Sequence, residues 1–145
     1  TDMAMRTELL LYMAARAQLV EKVIRPALEA GSDVVSDRYV ISSIVYQGEA
    51  GGLDVDAVRA VGDFATGTLW PDLTIVIDVP ADLGARRRGR PSDRVEARDA
   101  SYHEAVVRGF RRWAGSRPDI VRVEGASAVE DVSAAVWDRA CELLR

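Results

Sequence analysis

The feature that most constrains the fold is the run Leu73–Val79, in which Leu, Ile and Val side chains follow one another with only Thr74 and Asp78 between them. A run this continuous is typical of a strand that is buried on both faces of a parallel sheet, because a strand with one wet face alternates apolar and polar residues. Two shorter segments, 33–36 and 120–123, are predicted as further strands. Parallel strands need crossover connections, so the remaining segments are expected to be helical.

A long helix is predicted over Ala4–Ala30, where apolar residues recur every three or four positions. Pro26 is expected to kink it or end its regular part, and Gly31 to stop it. Gln47–Gly52 holds three glycines and is predicted as a mobile loop. Ser127 and Glu130 have capping-box spacing and predict the start of the last helix. Other helices are predicted at about 41–46, 54–68, from residue 81 and at 99–114.

This alternation of helices and short strands predicts an α/β three-layer sandwich with a parallel sheet, in a single domain over residues 1–145. Ligands of such folds bind at the carboxyl ends of the strands. The chain has one cysteine and one histidine, which excludes an intramolecular disulfide, a zinc cluster and a Cys–His catalytic pair. No apolar run is long enough for a bilayer and no signal peptide opens the sequence, so a cytoplasmic protein without a membrane partner is expected.

The basic residues are unusual in kind and in placement. The net charge is −4, and of 19 basic residues only Lys22 is a lysine. Nine arginines lie within Arg86–Arg112, against four acidic residues. Guanidinium groups match phosphate geometry, so this block indicates either an anionic ligand or a solvated surface helix. The chain is acidic overall and the block lacks interleaved aromatic residues, which argues against a nucleic-acid partner.

Two residue pairs near the amino terminus suggest a site. Asp37 and Arg38 follow the first predicted strand, where a carboxylate can hold Mg²⁺ and an arginine can clamp a phosphate. Tyr12 and Arg16 are four residues apart and share a helix face, so a base could stack on the ring beside the guanidinium. The plain alternatives are a strand-end ion pair for the first pair, and a core tyrosine with a surface arginine for the second.

Two further segments carry polar groups. Ser42, Ser43, Tyr46 and Gln47 could hydrogen-bond a nucleobase edge, or could form a capping and surface cluster. The segment 86–94 is broken by glycine and proline and could close over a phosphoryl group during its transfer.

The order and spacing of these segments closely resemble those of bacterial thymidylate kinases, over essentially the whole chain from Thr7. The blocks that carry the resemblance are Thr7–Tyr12, Ala14–Gln18, Ile24–Leu28, Val35–Tyr39, Ser42–Gly48, Pro71–Thr74 and Asp93–Glu96. The resemblance implies a P-loop nucleoside monophosphate kinase fold. It also implies transfer of the γ-phosphoryl group of ATP to dTMP, giving dTDP, with Mg²⁺, in a homodimer packed through helices.

The resemblance also implies roles for single residues. Tyr12 matches the aromatic residue that stacks on thymine, Arg16 and Arg38 match arginines near the monophosphate, and Asp37 matches a carboxylate that holds Mg²⁺ through water. The positions that match the deoxynucleoside pocket are Ser43, Tyr46 and Gln47. The lid, at about 86–96, carries Arg86 and Arg94 toward the ATP phosphates, and the catalytic arginine is one of Arg87, Arg88 and Arg90.

One departure from the family is plain. The sequence contains no Gly-x-x-x-x-Gly-Lys-Ser/Thr segment, and Lys22 lies within a predicted helix without a glycine beside it. The chain is therefore expected to be the C-terminal part, about 70%, of a kinase fold that lacks its first strands, and to be inactive alone. The alternatives are a non-catalytic relative that binds a nucleoside monophosphate and a P-loop kinase acting on another monophosphate.

Overall fold

A computed structural model describes residues 3–87, 94, 95 and 97–144 of the chain. The chain divides into two compact units, Thr1–Trp70 and Pro71–Arg145. Helices form the first unit, and the second combines helices with a parallel sheet.

The first unit opens with one long helical rod, as predicted. It consists of α1 (Met5–Leu19), a π-helical turn π1 (Val20–Ile24) and α2 (Arg25–Glu29). In π1 the amide of Arg25 donates to the carbonyl of Val20, five residues back, so the hydrogen-bond pattern widens just before Pro26, which has no N–H to donate. The rod ends at Gly31, whose φ is +78°.

Three shorter helical segments complete the first unit: α3 (Val40–Ser43), the π-helical π2 (Ile44–Glu49) and α4 (Val55–Thr66). The helices predicted at 41–46 and 54–68 are thus confirmed. The Asp54 carboxylate caps α4 by accepting from the amide of Ala57 at 2.7 Å. The prediction of a loop over 47–52 is wrong for its first three residues, which π2 includes because its wide turn continues the helix past Tyr46.

The core of the first unit lies where the rod packs against the shorter helices. Within the shorter helices, Gly62 of α4 permits the close approach of α3, because a Cβ there would lie 2.5 Å from Val40 Cγ1. The buried apolar side chains of the unit are Leu9, Met13, Val20, Ile24, Tyr39, Val40, Ile41, Ile44, Val45 and Val58.

The strand predicted at 33–36 is not formed, and this prediction is wrong for the chain as described. The segment has no strand assignment, and Val35 is 98% exposed. A strand is stabilised by backbone hydrogen bonds to a neighbouring strand. The described part of the first unit provides no such neighbour, so the β-branched residues alone do not produce a strand.

The second unit is built on two parallel strands, β1 (Thr74–Asp78) and β2 (Ile120–Glu124), in the register Thr74 to Ile120 through Asp78 to Glu124. Both strands were predicted. The helices of the unit are α5 (Ala81–Arg87), α6 (Ala100–Trp113) and α7 (Val129–Leu143). No helix in the described part of the chain is long and apolar enough to cross a membrane.

Two expectations for the second unit are corrected, and a third is confirmed only in part. Ile77 is 51% exposed, so β1 is not buried on both faces; among the described residues the sheet has only two strands. The expected three-layer sandwich is therefore seen only as a mixed helix–strand arrangement with a parallel sheet. The capping box is absent, because α7 begins one residue later than its spacing requires, with Ala128 at the N-cap position and no side-chain cap.

Candidate functional site

Two hydrogen-bonded side-chain pairs join α1 to α3 and π2 in the first unit. The Arg16 guanidinium donates to Ser43 Oγ at 3.2 Å and to the carbonyl of Tyr39 at 3.3 Å. Two helical turns earlier, Glu8 Oε1 accepts from Gln47 Nε2 at 2.8 Å. All four side chains are buried. We call this polar contact between the helices the α1–π2 seam.

Arg16 is the most informative residue of the seam. Its side chain is 9% exposed, and its third bond goes to the sulfur of Met13 at 3.0 Å. Burial lowers the pKa of Arg16, while the nearby Tyr39, whose ring lies 5.6 Å from the guanidinium carbon, acts in the opposite direction. In the described part of the chain no carboxylate forms an ion pair with Arg16, and a guanidinium stays charged in proteins. A buried cation without a counter-ion suits an anionic ligand.

Asp37 and Arg38 lie on a tight turn just before α3. Arg38 has φ +73°, a left-handed conformation that is costly for a residue with a Cβ. Ser36 Oγ donates to the carbonyl of Arg38 at 3.0 Å, and the guanidinium of Arg38 lies 5.2 Å from the centre of the Tyr46 ring. Both Asp37 and Arg38 are exposed. The turn therefore presents a carboxylate and a cation to solvent, with the cation over an aromatic ring of π2.

The structure brings some of the predicted site residues together. Arg16 contacts Ser43, and Arg38 contacts Tyr46. Tyr12 lies one turn before Arg16 on α1, and 46% of its surface is exposed. An aromatic ring in that position can offer its face to a base, as the sequence predicts.

The described part of the arginine block in the second unit is engaged in local contacts. Arg86 pairs with Asp82 at 2.7 Å on the surface of α5. Arg87 donates to the carbonyls of Gly125, Ala126 and Ser127 at 2.5, 2.9 and 3.4 Å, and so fixes the turn after β2. Arg94 is partly buried. Arg88 and Arg90, together with the lid segment 88–93, lie outside the described residues.

The chain was compared with known proteins. The family model for thymidylate kinase matches residues 1–136. The chain belongs to the thymidylate kinase family. It is 42% identical to the thymidylate kinase of an Exiguobacterium species, which it matches over 99% of its own length and 69% of the relative. It is 46% identical to the thymidylate kinase of Symbiobacterium thermophilum, over 90% of the chain and 62% of the relative.

A third thymidylate kinase, from Lactobacillus helveticus, is 43% identical over 88% of the chain and 62% of its own length. The chain thus spans 62 to 69% of the length of these relatives. The resemblance inferred from the ordered blocks is confirmed at the level of the family.

Sequence reasoning gave no role to two buried acidic residues. Glu8 lies in the first block of the thymidylate kinase resemblance, and its spacing of eight from Arg16 puts both on one stripe of α1. Asp78 is 6% exposed, and each of its carboxylate oxygens accepts a hydrogen bond from Arg111 Nε at 2.9 Å. It also accepts from Arg122 at 3.5 Å, so it joins β1 to α6 and β2. The sequence could have indicated a role for Asp78, because it is the one acidic residue in the apolar run Leu73–Val79.

Proposed function

We propose that the protein to which this chain belongs transfers the γ-phosphoryl group of ATP to dTMP and releases dTDP. The observation that carries the proposal is Arg16, a buried cation with no carboxylate partner in the described part of the chain, one helical turn from an exposed aromatic ring. A nucleoside monophosphate supplies both an anion and a flat base. Family membership supports the same substrate.

The first unit would bind the monophosphate. Tyr12 stacks on the base, Arg16 and Arg38 offset the charge of the phosphate, and Ser43 is held by Arg16 so that its hydroxyl has a fixed orientation. Tyr46 and Gln47 line the deoxynucleoside pocket from π2. Because the seam already holds Arg16, Ser43 and Gln47, little ordering of these three side chains remains to be done on binding.

Mg²⁺ would be held beside Asp37. The described residues contain no group of three or more His, Cys, Asp or Glu side chains suited to a metal. A single exposed carboxylate still fits Mg²⁺, which commonly keeps several waters and takes its other ligands from substrate phosphates. Asp37 would bind the ion through water, and the bound ion would offset phosphate charge.

The lid is proposed at about residues 86–96, with Arg86 and Arg94 toward the ATP phosphates. Arg87 already donates to three carbonyls, so moving its guanidinium to a phosphoryl group would leave those acceptors unpaired. We therefore favour Arg88 or Arg90 for the catalytic role. Such a charge acts on the transition state, because it offsets negative charge on the phosphoryl group in transit.

The proposed assembly is a cytoplasmic homodimer packed through the rod and α4. Several apolar side chains on these helices are exposed, and Phe64 of α4 is 91% exposed. The exposed apolar residues of the rod are Leu10, Leu11, Leu19, Val23 and Leu28. Covering such a surface with a second copy would remove apolar area from water.

A coupled assay with dTMP and ATP tests the proposal on the protein expressed from the complete gene and on the 145-residue chain. The complete protein is expected to form one ADP for each dTMP that it phosphorylates, and to require Mg²⁺. The 145-residue chain is expected to be inactive, because its sequence has no P-loop to cradle the β- and γ-phosphates. Calorimetric binding of dTMP without turnover by the complete protein would favour the non-catalytic alternative, and a preference for another monophosphate would reject dTMP as the substrate.

A further inference from the structure

Glu8 is a buried carboxylate for which the proposed reaction has no use. It is 1% exposed, although a carboxylate is costly to remove from water. It accepts a hydrogen bond from the side-chain amide of Gln47, which is 3% exposed and lies across the seam on π2. The two residues are separated by 39 positions in the sequence, so the contact depends on the packing of α1 against π2.

The contact with Glu8 fixes the orientation of the Gln47 side-chain amide. A carboxylate accepts hydrogen bonds and donates none, so the NH₂ group of Gln47 must face Glu8. The carbonyl oxygen Oε1 then points away from Glu8. That oxygen is buried and has no hydrogen-bond donor among the described residues. A buried carbonyl oxygen without a donor is unfavourable and calls for a donor that arrives from outside the described chain.

Gln47 shares the helical segments α3 and π2 with other residues proposed to hold the nucleotide. Gln47 follows Tyr46, whose ring is under Arg38, and comes four residues after Ser43, which is bonded to Arg16. The backbone around it is fixed, since the Gln47 carbonyl accepts from Leu53 N at 3.1 Å. Both the backbone carbonyl and the side-chain NH₂ group of Gln47 are therefore hydrogen-bonded, and Oε1 is the acceptor that remains.

We infer that Glu8 is a positioning residue: it orients the Gln47 amide so that Oε1 accepts a hydrogen bond from an N–H or O–H group of the bound nucleotide. This inference rests on the proposed function, because the nucleotide is taken to be dTMP. Glu8 does not touch the substrate. Its whole contribution to binding passes through the Gln47 amide, which is what distinguishes it from a residue that merely stabilises the fold.

The test is a double-mutant cycle in the protein expressed from the complete gene. Glu8→Met and Gln47→Met are each expected to raise the KM for dTMP about tenfold, roughly the value of one hydrogen bond, with kcat changed less than about twofold. The double variant should have the KM of Gln47→Met alone, because Glu8 has nothing left to orient. It should also fold, since replacing both partners of a buried polar pair by apolar groups is nearly neutral.

Glu8→Gln covers the case in which Glu8→Met does not fold. A glutamine at position 8 can donate or accept, so the orientation of the Gln47 amide is no longer fixed. The KM for dTMP should therefore rise about twofold to threefold in the wild-type background. It should not rise in the Gln47→Met background. Glu29→Gln is the matched control, because it makes the same change at an exposed position of the same unit and should leave both constants unchanged.

The outcomes separate the inference from the proposed function. A wild-type protein that does not phosphorylate dTMP rejects the proposed function and the assignment of Glu8 with it. An active protein in which Glu8→Met and Glu8→Gln leave the KM unchanged, or raise it equally with and without Gln47, overturns the inference alone. Two analogues identify the donor: dTMP methylated at N3 lacks the imide N–H, and 3′-deoxy-dTMP lacks the sugar hydroxyl. If Gln47→Met no longer weakens the binding of one analogue, the group that this analogue lacks is the donor of the hydrogen bond to Oε1.

Discussion

Replacing Arg16 by methionine separates binding from stability more sharply than any other single change in the seam. The substitution keeps much of the length of the side chain and removes a charge that is 9% exposed. It also removes three hydrogen bonds of 3.0 to 3.3 Å, which end on a sulfur, a hydroxyl and a carbonyl and not on a carboxylate. The perturbation is therefore the loss of a buried cation that the described chain only partly compensates.

The magnitude follows from two opposing terms. Three long hydrogen bonds of this kind contribute about 2 kcal/mol in total, near the lower end of the usual range for each. Burying a guanidinium without a counter-ion costs several kcal/mol, which the apolar methionine avoids. Arg16→Met should thus leave the free energy of unfolding unchanged or raise it by up to about 2 kcal/mol. In the complete protein, losing a charged phosphate contact of roughly 1.5–3 kcal/mol should lower kcat/KM for dTMP by about 10- to 150-fold.

Urea denaturation of the 145-residue chain and dTMP kinetics of the complete protein measure the two effects. Arg25→Met is the matched control on the same rod, because Arg25 also donates to two carbonyls, those of Thr66 and Gly67, but has Glu21 as an anionic partner at 3.4 Å. It should lose about 1–2 kcal/mol of stability and keep the wild-type kinetics. A loss of more than about 2 kcal/mol in Arg16→Met, with kcat/KM for dTMP intact, would refute the reasoning, since Arg16 would then be a structural clamp.

Three further predictions test other parts of the chain. Arg38→Gly should raise the unfolding free energy by about 1 kcal/mol in urea denaturation, because φ +73° suits glycine, and should raise the KM for dTMP roughly tenfold in the coupled assay. Arg87→Ala should lower Tm by a few degrees and speed amide exchange at 126–128, where three carbonyls lose their donor, whereas Arg88→Ala should lower kcat without either effect. Hydrogen bonds from the Ser101 hydroxyl and the backbone lower the pKa of Asp99. Its contribution to stability is therefore present above its pKa in the unfolded chain and is lost as the pH falls through its pKa in the folded chain. When the unfolding free energy is measured across acid pH, Asp99→Asn should lose that part of the pH dependence.

The elements that the sequence predicted well are those whose signal is local. The rod shows a helical repeat over more than twenty residues, and α4 has a capping aspartate at one end and Gly67 at the other. The helix α6 has a similar cap, in which Asp99 accepts from the amide of Tyr102 at 2.8 Å. In each case the residues that start, continue and stop the element are neighbours in the sequence, so a short window contains the whole signal.

The predictions that were wrong concern features that depend on distant residues. A β-branched segment at 33–36 becomes a strand only when another backbone pairs with it, and the described first unit supplies none. The exposure of Ile77 has a similar origin, because coverage of a sheet face is decided by what packs on it and not by the strand itself. The contact between Glu8 and Gln47 was not predicted for the same reason, because the two residues lie on different helical segments.

The turn that carries Asp37 and Arg38 shows how one end of the site is held although the preceding segment pairs with no strand in the described unit. Ser36 bonds the Arg38 carbonyl, and the left-handed φ of Arg38 redirects the chain into α3. The Arg38 guanidinium then lies over Tyr46, whose position is set by π2, and π2 is in turn bonded to α1 through Gln47 and Glu8. The pair Asp37 and Arg38 is therefore positioned by helix packing in the seam. It follows that substitutions in the seam should alter dTMP binding at both ends of the nucleotide, whereas pairing of the segment 33–36 with another strand would chiefly affect stability.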